Sequence, residues 1–118
     1  MRKRILSLLA VTLGLLSAWG AAAQQTPYFC IGADVSEIPA MEARGSKFYD
    51  VDGTEKDPLR IMADHGFNVI RLRLFVNPEA PRGYSRDGFC GTESTIAFAK
   101  RIKAAGMQFA LNFHYSDT

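Results

Sequence analysis

The stretch VIRLRLF, residues 69 to 75, constrains the fold more than any other part of this chain of 118 residues. Apolar residues and arginines alternate along it, so an extended backbone puts Arg71 and Arg73 on one face and Leu72 and Leu74 on the other. Helical patterns flank this strand. DPLRIMADHG (57–66) has Asp57 followed by Pro58 as a helix start, Leu59, Met62 and Ala63 at helical spacing, and Gly66 as a stop. TESTIAFAKRIKAAG (92–106) puts Ile96, Ala99 and Ile102 on one stripe with Phe98 and Ala105 beside it. A Thr92 cap and a Gly106 stop bound it, with Lys100, Arg101 and Lys103 outside. FCIGAD (29–34) and QFALNF (108–113) read as further strands, the second apolar enough to be covered on both faces. The order strand, helix, strand, helix, strand predicts an α/β fold of parallel strands joined by right-handed crossovers.

The connections are asymmetric. Helix-to-strand links are short, around Phe67-Asn68 and Met107, whereas strand-to-helix links run from about 35 to 56 and 76 to 91. Long loops are uncommon in compact domains unless they serve a function. These leave the carboxyl ends of strands, where α/β barrels and open α/β sheets build their sites. Asp34 ends the first strand, and His114, Tyr115 and Asp117 arrive at the same end of the third.

Residues 1–23 read as a secretory signal peptide: Arg2, Lys3 and Arg4, an apolar stretch from Ile5 to Ala18, and the small-residue site Ala21-Ala22-Ala23. The apolar run is shorter than the roughly 20 residues of a membrane-spanning helix. The expectation is a secreted or periplasmic protein, cleaved near Ala23, with no membrane anchor. Residues 24–118 carry 11 Lys+Arg against 12 Asp+Glu, a net charge near −1, so the basic excess lies in the leader and nothing suggests nucleic acid. A complete α/β barrel takes about 250 residues, so residues 24–118 are expected to form the first three βα units of a truncated (β/α)8 TIM barrel. A small complete three-stranded domain is the alternative, but it would leave QFALNF as a bare edge.

Cys30 and Cys90 could pair in an exported protein, but a disulfide needs Cα atoms within about 7 Å. Cys30 begins one strand and Cys90 lies in a loop beyond the far end of another, so two free thiols are expected, with Cys30 buried. With two histidines, no Cys/His cluster and no glycine-rich phosphate loop, no metal and no cofactor is indicated. His65 reads as structural, and YDVDGTEKD (49–57) as a turn around Asp52-Gly53.

GADVS (32–36), FYDVDG (48–53), VIRLRLFVNP (69–78), AKRIKAAGM (99–107) and FHYSDT (113–118) together resemble the amino-terminal third of the arabinogalactan endo-β-1,4-galactanases, glycoside hydrolase family 53. The resemblance implies a (β/α)8 barrel and retention of anomeric configuration. It also implies two catalytic glutamates at the ends of strands four and seven, neither of them in this chain. Phe75 stands where the family commonly has tryptophan. The implied substrate is the β-1,4-galactan side chain of pectin.

Retaining glycosidases set two carboxyl groups about 5 to 5.5 Å apart, one protonated and one ionised. The ionised group needs cations and donors, which Arg71 and Arg73 could supply; the resemblance favours Arg71 for contact with the nucleophile. Either arginine could instead pair with a structural carboxylate such as Asp34. Asp34 could bind sugar hydroxyls or lock Arg71, with the lock preferred. The resemblance places His114 in the active site, donating to a sugar hydroxyl or to the nucleophile. Tyr115 and Asp117 could line the cleft or serve packing and loop hydrogen bonds. A catalytic pair made from Asp34 with Glu37 or Asp117 is disfavoured, because the family's pair lies elsewhere. Two other functions remain open: a cellulase- or mannanase-type barrel of the same clan, and a non-catalytic carbohydrate-binding module, which the alternating strands and helices disfavour.

Overall fold

The computed structural model describes residues 28–115. The leader reading (1–23) and Asp117 fall outside them. Three strands, β1 (Gly32–Asp34), β2 (Val69–Phe75) and β3 (Gln108–His114), form one parallel sheet in the order β1-β2-β3. Helices α1 (Ile38–Ala43), α2 (Pro58–Asp64) and α3 (Thr92–Ala104) lie between them. The alternation of strand and helix is as expected, with α1 as an addition. IPAMEA is too short to show a helical period, and Pro39 sits in its first turn, where a missing N–H costs nothing.

Helix α2 starts as its sequence demands: the Asp57 carboxylate accepts from the amides of Leu59 and Arg60 at 2.8 and 3.2 Å. For α3 the expected cap is corrected. Gly91 holds the N-cap position without a side-chain bond, and Thr92 is already helical. The Ser94 hydroxyl, one turn in, donates back to the carbonyls of Gly88 and Gly91. The buried stripe is also rotated from the expected one. Thr95, Phe98, Ala99 and Ile102 face the sheet, whereas Ile96 is 51% exposed.

Both helix-to-strand turns close alike. Gly66 (φ 87°) and Gly106 (φ 83°) take the left-handed conformation. The next amides, of Phe67 and Met107, reach back to the carbonyls of Met62 and Ile102 at 3.0 and 3.2 Å. Each turn therefore delivers the following strand at once, which fixes the register Ile70↔Phe109, Leu72↔Leu111 and Leu74↔Phe113.

The core fills one side of the sheet. Ile38, Leu59, Ile70, Leu72, Phe98, Ala99, Ile102 and Met107 form a single cluster. Burying each of the large aliphatic side chains is worth about 1.5–3 kcal/mol. Strand β3 is less covered than expected: Phe109, Leu111 and Phe113 remain exposed. It is an edge strand, and α3 packs over β2 as well as β3. Among the described residues no helix is long and apolar enough to cross a membrane.

Candidate active site

Parallel register partners share a face, so the pairs Asp34↔Arg71, Arg73↔Asn112 and Phe75↔His114 put six side chains on the side opposite the core. Alternation keeps Ile70 and Leu72 in the core and sends the arginines out of it. The same alternation along β3 places Asn112 and His114 beside them. Asp34, Phe75 and His114 stand at the carboxyl ends of their strands, Arg73 and Asn112 two residues before them, and Arg71 near the middle of β2.

Asp34 is the centre of the charged group. Its carboxylate lies 3.6 Å from Arg71 Nη1 through one oxygen and 3.6 Å from Arg73 Nε through the other. The Ser36 hydroxyl donates to it at 2.7 Å and the Ser36 amide at 3.2 Å. Burial works to raise the Asp34 pKa, but the Ser36 hydrogen bonds and the charges of Arg73 and Arg71 outweigh it and hold the carboxyl below its ordinary value. The Ser36 hydroxyl also accepts from the Arg73 backbone amide at 2.9 Å, which ties the end of β1 to β2. Arg73 Nη2 donates to Glu37 at 3.3 Å, while its Nε is buried without a hydrogen-bond partner.

Beyond the charges comes a set of rings. Phe75 stacks on Tyr84 with centroids 4.4 Å apart and planes 9° apart, and packs on His114 at 4.5 Å. The Arg73 guanidinium lies 5.0 Å from the Tyr84 centroid. The Asn112 side-chain amide meets His114 Nε2 at 2.9 Å, fixing the imidazole on its second side. Phe75 is buried, so at this position a phenyl ring already serves as the centre of a stack. The loop that brings Tyr84 in is closed at its base by the Phe75 amide donating to the Cys90 carbonyl at 2.9 Å. Cys90 itself adopts φ 62°, unusual for a residue with a side chain.

Asp34, Arg71, Arg73 and His114 thus share one face, with Asp34 between the two arginines. Tyr115 follows directly but is 95% exposed and joins no described contact of the group. Both cysteines are free, but the expected burial is corrected: Cys30 is exposed, lying before β1 at the margin of the sheet, and Cys90 is the buried thiol, close to the Ser36 carbonyl. Burial pushes the Cys90 thiol up to about 11, against the opposing charge of Arg73. Ser36, Tyr84 and Asn112 were not singled out from sequence. Asn112 could have been found from the period-two spacing to His114; Tyr84, in a loop without period, had no such signal.

Among the described residues no group of His, Cys, Asp and Glu could hold a metal ion. A cleft of about 230 Å³ opens beside the rings, lined by Leu74, Phe75, Val76, Thr92, Phe113, His114 and Tyr115. A larger one, about 470 Å³, lies between Glu42 and Pro58, remote from the strand tips, and its Lys47 and Glu55 are paired with each other. Cationic forks, an imidazole and ring faces suit a ligand rich in hydroxyls or a carboxylate brought in from another element.

The model of glycosyl hydrolase family 53 matches residues 30–118. An arabinogalactan endo-β-1,4-galactanase of Cellvibrio japonicus is 35% identical over the whole of this chain and 29% of its own length. One of two fungal β-1,4-galactanases of known structure superposes with a TM-score of 0.66 at 39% identity, covering 74% of this chain and 24% of its own. The GH53 catalytic domain of Ignisphaera aggregans gives a TM-score of 0.69 at 36% identity, over 80% of this chain and 27% of its own. The chain therefore spans less than a third of each of these relatives.

Proposed function

The chain belongs to glycosyl hydrolase family 53, and from that membership we propose that it is the amino-terminal part of an exported arabinogalactan endo-β-1,4-galactanase. In this reading the three βα units open a (β/α)8 barrel whose later strands carry the acid/base and nucleophile glutamates, and cleavage retains the anomeric configuration. The observation that carries it is that Asp34, Arg71, Arg73 and His114 share one face of adjacent parallel strands, with Asp34 and His114 at carboxyl ends and Asp34 paired to both arginines.

Each residue then has a task. Asp34, ionised and held by Ser36, orients both guanidiniums. Arg71 contacts Asp34 at only 3.6 Å and keeps donors for the nucleophile, holding it charged before attack and receiving the charge again when it leaves. His114, clamped by Asn112 and Phe75, presents its remaining ring edge to a sugar hydroxyl or to the nucleophile. Tyr115 borders the cleft, and Asp117, outside the described residues, is assigned to substrate binding on the family resemblance. The chemistry needs no cofactor and no metal, and the leader 1–23 directs the product to the periplasm or the exterior.

The full-length protein incubated with β-1,4-galactan should release reducing ends with an early fall in viscosity, and proton NMR should show the β-anomer first. Cleavage of cellulose or mannan with galactan untouched would overturn the assignment in favour of another barrel glycosidase. Residues 24–118 alone should be inactive and should aggregate or bind a hydrophobic dye, having no catalytic glutamate pair and an exposed outer strand. A sharp cooperative melt together with galactan cleavage would return Asp34, Glu37 and Asp117 as candidate catalytic groups.

A further inference from the structure

We propose that Tyr84 is a positioning residue of the site: its ring sets the plane of the Arg73 guanidinium on one side and, through Phe75, the plane of the His114 imidazole on the other. This rests on the galactanase reading above for its kinetic consequence, and on geometry for everything else.

Hydrogen bonding leaves Arg73 incompletely held. Nη2 reaches Glu37 at 3.3 Å, and Nε faces Asp34 at 3.6 Å without forming a hydrogen bond. The remaining constraint is the Tyr84 ring, 5.0 Å from the guanidinium carbon. That ring also lies nearly parallel to Phe75, at 4.4 Å and 9°, and Phe75 in turn packs on His114 at 4.5 Å and 32°. One side chain from the loop after β2 therefore touches the chain of contacts leading to both the cation and the imidazole.

The loop is built to deliver it. The Ser85 amide, next to Tyr84, donates to the Pro78 carbonyl at 2.9 Å, and the Gly83 amide donates to Ala80 at 2.7 Å. Gly83 lies so close to the Pro78 carbonyl that any Cβ there would collide with backbone. The loop is thus pinned on either side of Tyr84, and residue 83 must be glycine for Tyr84 to reach its place. Pinning a loop this tightly around a half-buried ring is the arrangement that holds neighbouring groups in one geometry. It leaves the ring face, not a charge or a nucleophile, as the working part. Tyr84 is accordingly assigned no proton transfer.

The test uses the full-length protein and the variants Tyr84→Ala and Tyr84→Phe. Tyr84→Ala should lower kcat on β-1,4-galactan at least about tenfold while KM changes less than about threefold, and Tyr84→Phe should return kcat to within about twofold of the parent. Two-dimensional NMR supplies a readout independent of activity. The Arg73 Nε–H resonance should lose its protection from exchange, and the His114 ring protons, assigned with His114→Gln, should shift in the alanine variant and not in the phenylalanine variant. If the parent does not cleave galactan, the galactanase reading fails and the NMR comparison alone decides the positioning role. Unchanged Arg73 and His114 signals in a folded Tyr84→Ala protein would overturn the proposal. So would an alanine-sized loss in Tyr84→Phe, which would assign the effect to the hydroxyl. A thermal melt of each variant separates these results from unfolding.

Discussion

Asp34 and Arg71 are register partners across β1 and β2, and their side chains meet at 3.6 Å, too far for a tight hydrogen-bonded fork and close enough for mutual charge compensation. Arg73 approaches the other Asp34 oxygen at the same distance. One carboxylate is thus shared by two guanidiniums, and the Arg71 side chain is half exposed. A residue meant only to close a structural ion pair would be expected nearer, at about 2.7–2.9 Å.

Arg71→Ala in the full-length enzyme should therefore cut kcat on galactan about a hundredfold or more with KM little changed, because its proposed partner carries charge that shifts along the reaction coordinate. Arg71→Lys should recover little of this, since an ammonium cannot offer a planar fork. Steady-state kinetics decide it. An unchanged kcat in a folded Arg71→Ala protein would reassign Arg71 to structure.

Arg101 should matter for stability and not for chemistry. It reaches both Glu42 oxygens, at 2.6 and 2.8 Å, and Asp57 at 2.8 Å, so it ties α3 to α1 and to the cap of α2. The groups are partly exposed, so Arg101→Ala should cost about 1 kcal/mol in urea unfolding, with the loss shrinking in high salt. Arg101→Lys should restore less than half. Equal stability of parent and alanine variant at low salt would show the network to be idle.

Asp50 predicts an acid limit. Hydrogen bonds from Lys56 first, then from His65 and the Val51 amide, hold its carboxyl well below the usual carboxylate range. A carboxyl depressed in the folded state stabilises above its unfolded pKa, near 3.9, and the benefit disappears as pH falls toward the folded value. Asp50→Asn should lower Tm at pH 7, and the gap from the parent should narrow steadily below about pH 4. A gap that stays constant down to pH 2.5 would remove Asp50 from the acid response.

The two thiols should differ in kind. Cys30 is exposed and Cys90 is buried, with its thiol pushed up to about 11. A disulfide-exchange reagent at pH 8 should label Cys30 at once and Cys90 only after denaturant is added. Labelling of both in the native protein, confirmed by peptide mapping, would contradict the packing of Cys90 against Ser36.

Where side-chain period and chain punctuation act together, the sequence was informative. VIRLRLF has one pleat that buries Ile70 and Leu72, and Gly66 and Gly106 mark where the two longer helices turn sharply into strands. The face of α3 was harder to read. Ile96 and Thr95 compete for the core side, and the choice went to the smaller, polar residue because Phe98 and Ile102 fix the helix rotation over β2. Helix α1 escaped because six residues cannot display a period. In the site, Arg71 and Arg73 were visible through alternation along one strand, and His114 through its place at the tip of the third and the family resemblance. Tyr84 was not, since its place depends on how a loop folds back over a strand nine residues earlier.

The division of the sheet into an apolar side and a charged side also bears on how the chain finds its pairing. Sliding β2 by one residue against its neighbours would exchange its faces, driving Arg71 and Arg73 into the space around Phe98 and Ile102 and lifting Ile70 and Leu72 toward Asp34. Two desolvated guanidiniums without carboxylates would make that misalignment far costlier than a slip in an all-aliphatic strand. The arginines proposed to serve catalysis therefore act earlier as proofreaders of strand alignment. Replacing both by leucine would erase that penalty and leave the nascent sheet free to settle in more than one register.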